Sequence, residues 1–419
     1  MPREMKESGV EWIGIIPKTW TVLHCNAAFI RKNEKAEQDD PVILSLARSG
    51  VKVRDISNNE GQLAESYYNY NPVEPGDLLL NTMDLVSGAN CSISEVSGVI
   101  SPAYVNLRAR KGFDPLYYDY YFKTQYWSMA FFAHGKGVSF DNRWTLSAGD
   151  VLHYSIPVPP ENEQKRIAAF LKKKIDAIDK VVIDTENSIN DYKKLKQSMI
   201  TDAVTKGIRS DREMKDSRIE WIGEIPKEWR VERHKNVMHK VKQICENYGG
   251  EDIISLTMNG VIIRDLDAGG KMPTSFDGYQ YVEPGDLLLC LFDVDVTPRC
   301  VGLVKNHGIT SPAYSRFKVH DGYLNRYYDY LLREIDDTKA FLHLAKNLRS
   351  SFTEEDFGAI HTIVPPYEEQ VEIADYLDEK LPKIDSLIAQ KERFLSELES
   401  YKRSIIYEYV TGKKEVPEL

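Results

Sequence analysis

The stretch VEWIGIIPKTW at 10–20 returns as IEWIGEIPKEW at 219–229, with eight identities in eleven positions at an offset of 209 residues. The same offset relates VEPGDLLL at 73–80 to an identical segment at 282–289. Similarity that runs in the same order along two halves of a chain indicates an internal duplication. Further matches are SPAY at 101–104 and 311–314, YYDY at 117–120 and 327–330, and a longer pair that begins VPPENEQ at 158 and VPPYEEQ at 364.

Each half begins with short segments rich in Val, Ile, Leu and Tyr, separated by Gly, Pro, Asn and Asp. This pattern is typical of strands joined by turns. The segments YYDYYFKTQYW and YYDYLLREID predict a helix among the strands of each half. We therefore expect an α+β fold with two tandem domains of roughly 150 residues, whose sheet order the sequence does not give. Strands are predicted at 42–46, 77–80 and 154–158, and again at 253–256, 286–289 and 361–365.

Beyond each Pro-Pro pair the hydrophobic period changes from 2 to 3.5, which predicts a long helix with a coiled-coil seam. Polar residues interrupt both seams at matching places, Thr185 with Lys391 and Lys196 with Lys402, where they are expected to set register or relieve crowding. The pseudo-symmetry of the duplication predicts that the two helices pack as an antiparallel coiled coil. The seam positions are Leu171, Ile175, Ile178, Val182, Thr185, Ile189, Tyr192, Lys196 and Met199, then Leu377, Leu381, Ile384, Ile388, Lys391, Leu395, Leu398, Lys402 and Ile405.

Pro382 lies inside the second helical stretch, where it removes a backbone hydrogen bond and clashes with the preceding turn. We therefore predict a short helix at about 367–380 and a new helix that starts near Pro382. The duplication predicts a similar bend near Asp176. The expected domains are a first α+β domain at 1–160, a first helical region at 161–208, a second α+β domain at 209–366 and a second helical region at 367–419.

Composition limits the classes of function. The 419 residues are 42% hydrophobic, which is ample for buried cores, and no apolar run approaches the ~20 residues of a membrane helix. The five cysteines form no C-x-x-C pair, so a cytoplasmic protein with reduced thiols is expected. A net charge of -10 argues mildly against nucleic-acid binding but leaves local basic patches open.

Motifs of catalysis are missing from the sequence. It contains no Walker loop, G-x-G-x-x-G, H-E-x-x-H or G-x-S-x-G motif, and its nine histidines are scattered. VPPY at 364–367 resembles the Pro-Pro-aromatic motif of DNA amino-methyltransferases, but Val364 replaces the polar residue, so we interpret it as a helix boundary. Asp77 and Asp286 each follow Pro-Gly, where turn chemistry outweighs metal-assisted hydrolysis. The YYDY segments favour core packing over base stacking.

Basic residues in predicted loops remain as candidate contacts to DNA. Arg54 and Arg264 share a G-V-x-x-R-D context, while Arg48, Lys271 and Arg299 occur in one half only, as a reader of two different sequences requires. Arginine can pair with guanine or phosphate and Asn with adenine, but a surface salt bridge is an open alternative for each arginine. The loops GKGVSFDNRWTLS and LAKNLRSSFTEE add Lys136, Asn142, Arg143, Lys346, Asn347, Arg349, Ser350 and Ser351.

The chain resembles the specificity subunits of type I restriction-modification systems over nearly its whole length. The resemblance is carried by MKESGVEWIGIIPKTW and MKDSRIEWIGEIPKEW, by EPGDLLL, and by P-P-x-x-E-Q-x-x-I-A-x-[FY]-L. It implies two target-recognition domains that each read half of a split, asymmetric DNA site, with a two-helix coiled coil as the ruler between them. Helices of about 25 to 45 residues at ~1.5 Å rise are long enough to separate two domains by one ~34 Å turn of DNA.

The resemblance also implies that this chain has no catalytic activity and no cofactor of its own. Two modification subunits carrying S-adenosylmethionine would dock on the helices and methylate an adenine in each half-site, and restriction subunits using ATP and magnesium would complete the nuclease. Two other functions stay open, an interaction scaffold with two protein-binding domains and a self-sufficient nuclease. The implied partner-binding positions are Gln164, Ile167, Leu171, Gln370, Ile373 and Leu377.

Overall fold

The computed structural model describes residues 3–56, 64–83, 85, 90–137, 144–258, 260–267, 273–295, 297, 299–341 and 351–417. Contacts divide the chain into two compact units. The first unit comprises Met1–Glu186 and Arg393–Leu419, and the second comprises Asn187–Glu392. Each unit therefore contains one duplicated domain together with part of each long helix.

The described elements of the first half are mostly short strands. The strands are β1 (Met5–Glu7), β2 (Ile15–Pro17), β3 (Thr21–His24), β4 (Phe29–Lys32), β5 (Leu44–Ala47), β6 (Gly50–Val53), β7 (Asn71–Val73), β8 (Leu78–Leu80), β9 (Cys91–Ile93), β10 (Gly98–Ile100), β11 (Val105–Ala109) and β12 (Ser155–Val158). The helices are α1 (Cys25–Ala28), α2 (Pro115–Trp127), α3 (Ala130–Ala133), α4 (Ala148–His153) and the long α5 (Glu161–Lys206).

The second half repeats this order. Its strands are β13 (Met214–Asp216), β14 (Glu224–Pro226), β15 (Arg230–Arg233), β16 (Met238–Val241), β17 (Ile253–Thr257), β18 (Gly260–Ile263), β19 (Gln280–Val282), β20 (Leu287–Leu289), β21 (Val301–Leu303), β22 (Gly308–Thr310), β23 (Ser315–Val319) and β24 (His361–Val364). Its described helices are α6 (His234–Val237), α7 (Asn325–Asp337), α8 (Glu354–Ala359) and the long α9 (Tyr367–Val410).

Equivalent antiparallel sheets form the centre of the two domains. The strand order is β4-β11-β8-β9 in the first domain and β16-β23-β20-β21 in the second. The strands of the shared EPGDLLL segments lie inside these sheets, and all three leucines of each are buried. In the second domain a further sheet has the order β18-β17-β22-β19, in which β17 and β22 run parallel. The mixed α+β prediction is confirmed, and the pairing of strands distant in sequence is new information.

The aromatic helices α2 and α7 pack against these sheets. Asp114 caps α2 by accepting hydrogen bonds from two backbone N–H groups, and Pro115 occupies its first position. Tyr117 and Tyr327 are fully buried, and their hydroxyls donate to the backbone oxygens of Val410 and Val204, both over 2.8 Å. The prediction that the YYDY segments pack in the core is confirmed, and each helix is also joined to a long helix of its unit.

The long helices α5 and α9 pack antiparallel within each unit. In the first unit the Phe170 and Tyr409 rings lie 4.6 Å apart, and Lys402 pairs with Asp179. In the second unit Lys196 pairs with Asp385 over 2.6 Å. Sequence numbers rise along one helix as they fall along the other, which confirms the antiparallel coiled coil. Lys196 and Lys402, predicted as breaks in the seam, thus make equivalent ion pairs that fix register.

The break predicted at Pro382 is wrong. Helix α9 runs without interruption from Tyr367 to Val410 with Pro382 inside it, and α5 likewise continues through Asp176. Pro382 faces solvent, while Leu381 and Ile384 beside it are buried. Packing of these neighbours outweighs the one lost backbone hydrogen bond, which explains why the local rule failed.

Candidate nucleic-acid interface

Two equivalent hairpins place Arg54 and Arg264 at the ends of β6 and β18. The backbone N–H of Arg54 donates to Ile43 over 2.8 Å, and that of Arg264 donates to Ile253 over 2.7 Å. Both arginine side chains are half-buried. The shared G-V-x-x-R-D segment therefore occupies the same position in both domains.

A cleft of about 500 Å³ lies beside the hairpin of the first domain. Its lining includes Arg54, Tyr70, Asn81, Met83 and Tyr104. Burial raises the pKa of Tyr104, the neighbouring Tyr70 adds to the rise, and Arg54 opposes it. The Tyr104 hydroxyl therefore stays protonated at neutral pH and can donate a hydrogen bond.

The second domain brings the corresponding residues together. Burial raises the pKa of Tyr314, with Cys290 and Tyr279 adding to the rise and Arg264 opposing it. Tyr279 and Tyr314 occupy the positions of Tyr70 and Tyr104 in the duplication. Each domain thus contains an arginine and two tyrosines at one place on its surface.

Lys136 lies at the neck of the first predicted base-reading loop. Its backbone pairs with Thr145 through hydrogen bonds of 2.8 and 3.0 Å, and its side chain is exposed. Ser351 begins the described chain after the corresponding loop of the second domain, and its hydroxyl accepts a hydrogen bond from the Asp293 backbone over 3.2 Å. The other predicted loop residues lie outside the described residues, namely Asn142, Arg143, Lys271, Lys346, Asn347, Arg349 and Ser350.

Arg48 and Arg299, which occur in one half only, lie in different settings. Arg48 lies in the turn that joins β5 to β6. Arg299 donates to the carboxylate of Asp337 over 2.8 Å, lies 3.7 Å from Asp336, and leaves 17% of its side chain exposed. The salt-bridge alternative therefore describes Arg299 in this structure, because both carboxylates belong to its own domain.

The six positions proposed to bind partners are buried inside the units. Gln164 accepts a hydrogen bond from the Asp114 backbone over 2.8 Å, and Gln370 accepts one from the Leu324 backbone over 2.8 Å. Both glutamines attach a long helix to its own domain. A partner that docks on the helices must therefore contact other faces, which corrects the choice of residues. The six are Gln164, Ile167, Leu171, Gln370, Ile373 and Leu377, each at most 1% exposed.

Asp77 and Asp286 combine turn chemistry with ion pairing. The Asp77 carboxylate accepts a hydrogen bond from the Glu74 backbone over 2.8 Å, and Asp286 accepts one from Glu283 over 2.7 Å. The interpretation as turn residues is confirmed. Both aspartates are fully buried, and each also pairs with an arginine of the neighbouring strand, Arg108 for Asp77 and Arg316 for Asp286.

Metal ligands do not cluster in the described part of the chain, where no group of three His, Cys, Asp or Glu side chains could hold an ion. His234 lies fully buried against Phe357, and burial lowers its pKa to about 4. It therefore packs as a neutral ring in the core. No helix among the described residues is long and apolar enough to cross a membrane.

The sequence interpretation missed two equivalent anchors between domain and helix. In the first unit Glu163 pairs with Arg3 over 2.5 Å and accepts a hydrogen bond from the Trp20 indole over 3.0 Å. In the second unit Glu369 pairs with Arg212 and accepts from Trp229 over 2.9 Å. The available signal was the recurrence of the Trp and the Glu inside the shared motifs and of an Arg two residues before the first motif of each half.

Two proteins of Methanocaldococcus jannaschii are similar to this chain, although no family model matches it. One, named as the MjaX specificity subunit of a type I restriction enzyme, is 25% identical over 285 residues. The other, the type I MjaVIII specificity subunit, is 25% identical over 347 residues, which cover 77% of this chain and 76% of that protein. The chain is thus similar in sequence to two type I specificity subunits. The resemblance found in its motifs is confirmed.

The match to the MjaX specificity subunit covers 65% of this chain and 62% of that protein's length. A solved structure from work on complex assembly and conformational transition of the type I R-M system superposes with a TM-score of 0.69 at 15% identity. The superposition covers 95% of this chain and 99% of the solved chain. The fold of a type I system component therefore extends along nearly the whole sequence.

Proposed function

We propose that this chain is the non-catalytic DNA sequence-recognition subunit of a type I restriction-modification complex. Each target-recognition domain, at 1–160 and 209–366, reads one half of a bipartite asymmetric site. The helical regions at 161–208 and 367–419 set the spacing of the halves and dock methyltransferase subunits. The observation that carries this proposal is the duplication itself, because it keeps one framework while Arg48, Lys271 and Arg299 occur in one half only.

The catalytic groups belong to partner subunits in this proposal. Two modification subunits bring S-adenosylmethionine and methylate an adenine in each half-site, and restriction subunits bring ATP and magnesium. The relatives from Methanocaldococcus jannaschii support this division, since both are named as specificity subunits of type I restriction enzymes. A cytoplasmic location follows from the proposed substrate, cellular DNA.

Exposed apolar residues on the long helices offer faces for the modification subunits. Val181 and Tyr401 in the first unit are 41% and 55% exposed, and their counterparts Leu387 and Leu195 in the second unit are 40% and 49% exposed. They flank the ion pairs Asp179–Lys402 and Lys196–Asp385 in sequence. Matched apolar residues in the two halves suit two copies of one partner, because a duplicated surface can bind the same subunit twice.

The proposal is tested by producing the chain together with its modification subunits in a host that lacks them. Mapping methylated adenines across that host's genome should reveal one split, asymmetric motif. A chimera whose first domain comes from a related chain should change one half of the motif and keep the other. Methylation without sequence preference would contradict the proposal, and a salt-insensitive complex with protein but none with DNA would favour the scaffold.

A further inference from the structure

The two domains share a group of identical surface residues, although the proposed function has each domain read a different DNA sequence. In the first domain Arg54, Tyr70 and Tyr104 line one cleft together with Ser101. In the second domain Arg264, Tyr279, Tyr314 and Ser311 occupy the corresponding positions of the duplication. The residues at these four positions are identical in the two domains, even though the loops around them have diverged.

The SPAY turn gives both domains the same local geometry. The backbone N–H of Tyr104 donates to Ser101 O over 3.0 Å, and that of Tyr314 donates to Ser311 O over 3.1 Å. A Pro follows the Ser in both, as a type I or II turn favours. The turn fixes the backbone position of each tyrosine, and each ring also packs against a buried hydrophobic cluster of its domain.

Apolar residues border the same surface. Met83 lines the first cleft and is 51% exposed, and Phe292 occupies the corresponding position in the second domain and is 40% exposed. Both follow the buried strand of the EPGDLLL segment by three residues. An arginine, two phenols and a serine hydroxyl beside exposed apolar groups form a surface that offers hydrogen-bond donors and positive charge.

Residues common to both domains cannot distinguish two different half-sites. Besides the adenine on which the modification subunits act, the half-sites share the sugar-phosphate backbone, and phosphate contacts set the register and orientation of a protein on DNA without reading sequence. We infer that Arg54, Tyr104 and Ser101, and equally Arg264, Tyr314 and Ser311, form a backbone-phosphate clamp in each domain. The inference rests on the proposed function and assigns base reading to the diverged loops instead.

The clamp predicts that equivalent phosphates matter in the two half-sites. Because the domains share one framework, each clamp should hold a phosphate at the same position relative to its methylated adenine. Arginine and phenol donors to a phosphate make charge-assisted hydrogen bonds. Loss of one such contact should weaken binding by roughly tenfold to hundredfold, equally for every sequence tested.

The experiment uses the assembled complex of this chain with its modification subunits, bound to a duplex that carries the mapped motif. Arg54→Gln and Tyr104→Phe remove the proposed donors while keeping most of the side-chain volume. Lys18→Gln is the matched control, because it removes one positive charge of the first unit from an exposed pair with Glu4. Neutral methylphosphonate groups placed one at a time along the duplex then identify the phosphate involved.

We expect Arg54→Gln and one particular methylphosphonate to weaken DNA binding in a non-additive way. Arg54→Gln lowers affinity for the motif and for unrelated DNA by the same factor and reduces the slope of log affinity against log salt by about one. One methylphosphonate weakens the unmodified complex but has no further effect on Arg54→Gln, whereas it weakens Lys18→Gln fully. Arg264→Gln should behave identically with a phosphate of the other half-site.

Each other outcome has a defined meaning. If Arg54→Gln changes the preferred bases, the residue reads sequence and the clamp is wrong. If affinity and salt slope are unchanged while the complex remains selective, the clamp is again wrong and the proposed function stands. If the unmodified complex shows no site preference at all, the proposed function fails. Thermal unfolding of each variant shows whether a loss comes from damaged folding, and Tyr104→Phe supplies a second test that keeps the buried ring.

Discussion

Glu369 joins three parts of the second unit through one buried carboxylate. It is 1% exposed, pairs with Arg212 and accepts a hydrogen bond from the Trp229 indole. Removing the carboxylate leaves the buried Trp229 indole N–H without an acceptor and Arg212 with Glu228 as its remaining partner, which costs roughly 1–3 kcal/mol. We therefore expect Glu369→Ala to destabilise the second unit by that amount, measured as the shift of its unfolding transition in urea.

The neighbouring Glu372 supplies a control for this prediction. It pairs with Arg209 at the exposed surface, so Glu372→Ala should leave the unfolding transition nearly unchanged. Glu369→Gln should fall between the two, since an amide oxygen can still accept from Trp229 but no longer neutralises Arg212. If Glu369→Ala and Glu372→Ala shifted the unfolding transition equally, Glu369 would not anchor the second domain to its helix.

Asp329 gives the second domain a stability that depends on pH. Burial raises its pKa from 3.8 to about 6, although Arg333 opposes the rise. Because the folded state binds this proton more tightly, the contribution of Asp329 is fully present below about 3.8 and is lost as pH rises through about 6. The change is on the order of 2–3 kcal/mol.

The prediction is tested with Asp329→Asn. The melting temperature of the variant minus that of the unmodified chain should be larger at pH 7 than at pH 4.5. The reason is that protonation of Asp329 stabilises the unmodified chain on acidification, and the variant lacks this group. Asp119 is the counterpart in the first domain, and burial also raises its pKa. For Asp119→Asn, the difference in melting temperature from the unmodified chain should therefore also be larger at pH 7 than at pH 4.5. A difference that does not depend on pH for either variant would contradict the raised pKa of the two buried aspartates.

At the scale of the element, Pro382 tests how far packing overrides local propensity. It lies inside α9 and faces solvent. Pro382→Ala restores a backbone hydrogen bond and removes a clash, so it should stabilise the chain by up to ~3 kcal/mol. Thermal unfolding measures the gain. Asp176→Ala at the equivalent position of α5 is the control and should give no comparable gain, and a lower melting temperature for Pro382→Ala would mean that a bend there is needed.

The helices were predictable because their signal is long and periodic. Leu171, Ile175 and Ile189 repeat at heptad spacing and are all buried. The failure at Pro382 shows the limit of a local rule, since the packing that tolerates it comes from residues far away in sequence. Lys196 and Lys402 were recognised as breaks, but their aspartate partners lie on the opposite helix and were not identified.

The sheets and the candidate interface were less predictable. Strand positions followed from composition, but the order β4-β11-β8-β9 joins segments up to tens of residues apart that carry no pairing signal. The motifs placed Arg54 and Arg264 in equivalent settings. They could not show that Tyr104 and Tyr314 lie beside these arginines, because that proximity depends on turns of the folded chain. Gln164 and Gln370 were assigned to partners because their burial is invisible in a sequence.

At the scale of the whole molecule, the proposed spacing role of the helices predicts the effect of lengthening them. The two units meet in sequence between Glu186 and Asn187 and between Glu392 and Arg393. A heptad inserted at both places keeps the 3.5-residue seam in phase and leaves the contacts within each unit intact. Seven residues at ~1.5 Å rise add roughly 10 Å, which corresponds to about three base pairs at ~3.4 Å.

The doubly inserted chain, assembled with modification subunits, should methylate the same two half-sites separated by a longer gap. The increase should not exceed about three base pairs, because DNA twist also limits which spacings both domains can reach together. A heptad inserted in only one helix is the control. It mismatches the antiparallel pairs and should lower stability and abolish methylation. Full activity at the original spacing in the doubly inserted chain would show that something other than the helices sets the distance, while each domain's own half-site would still be read.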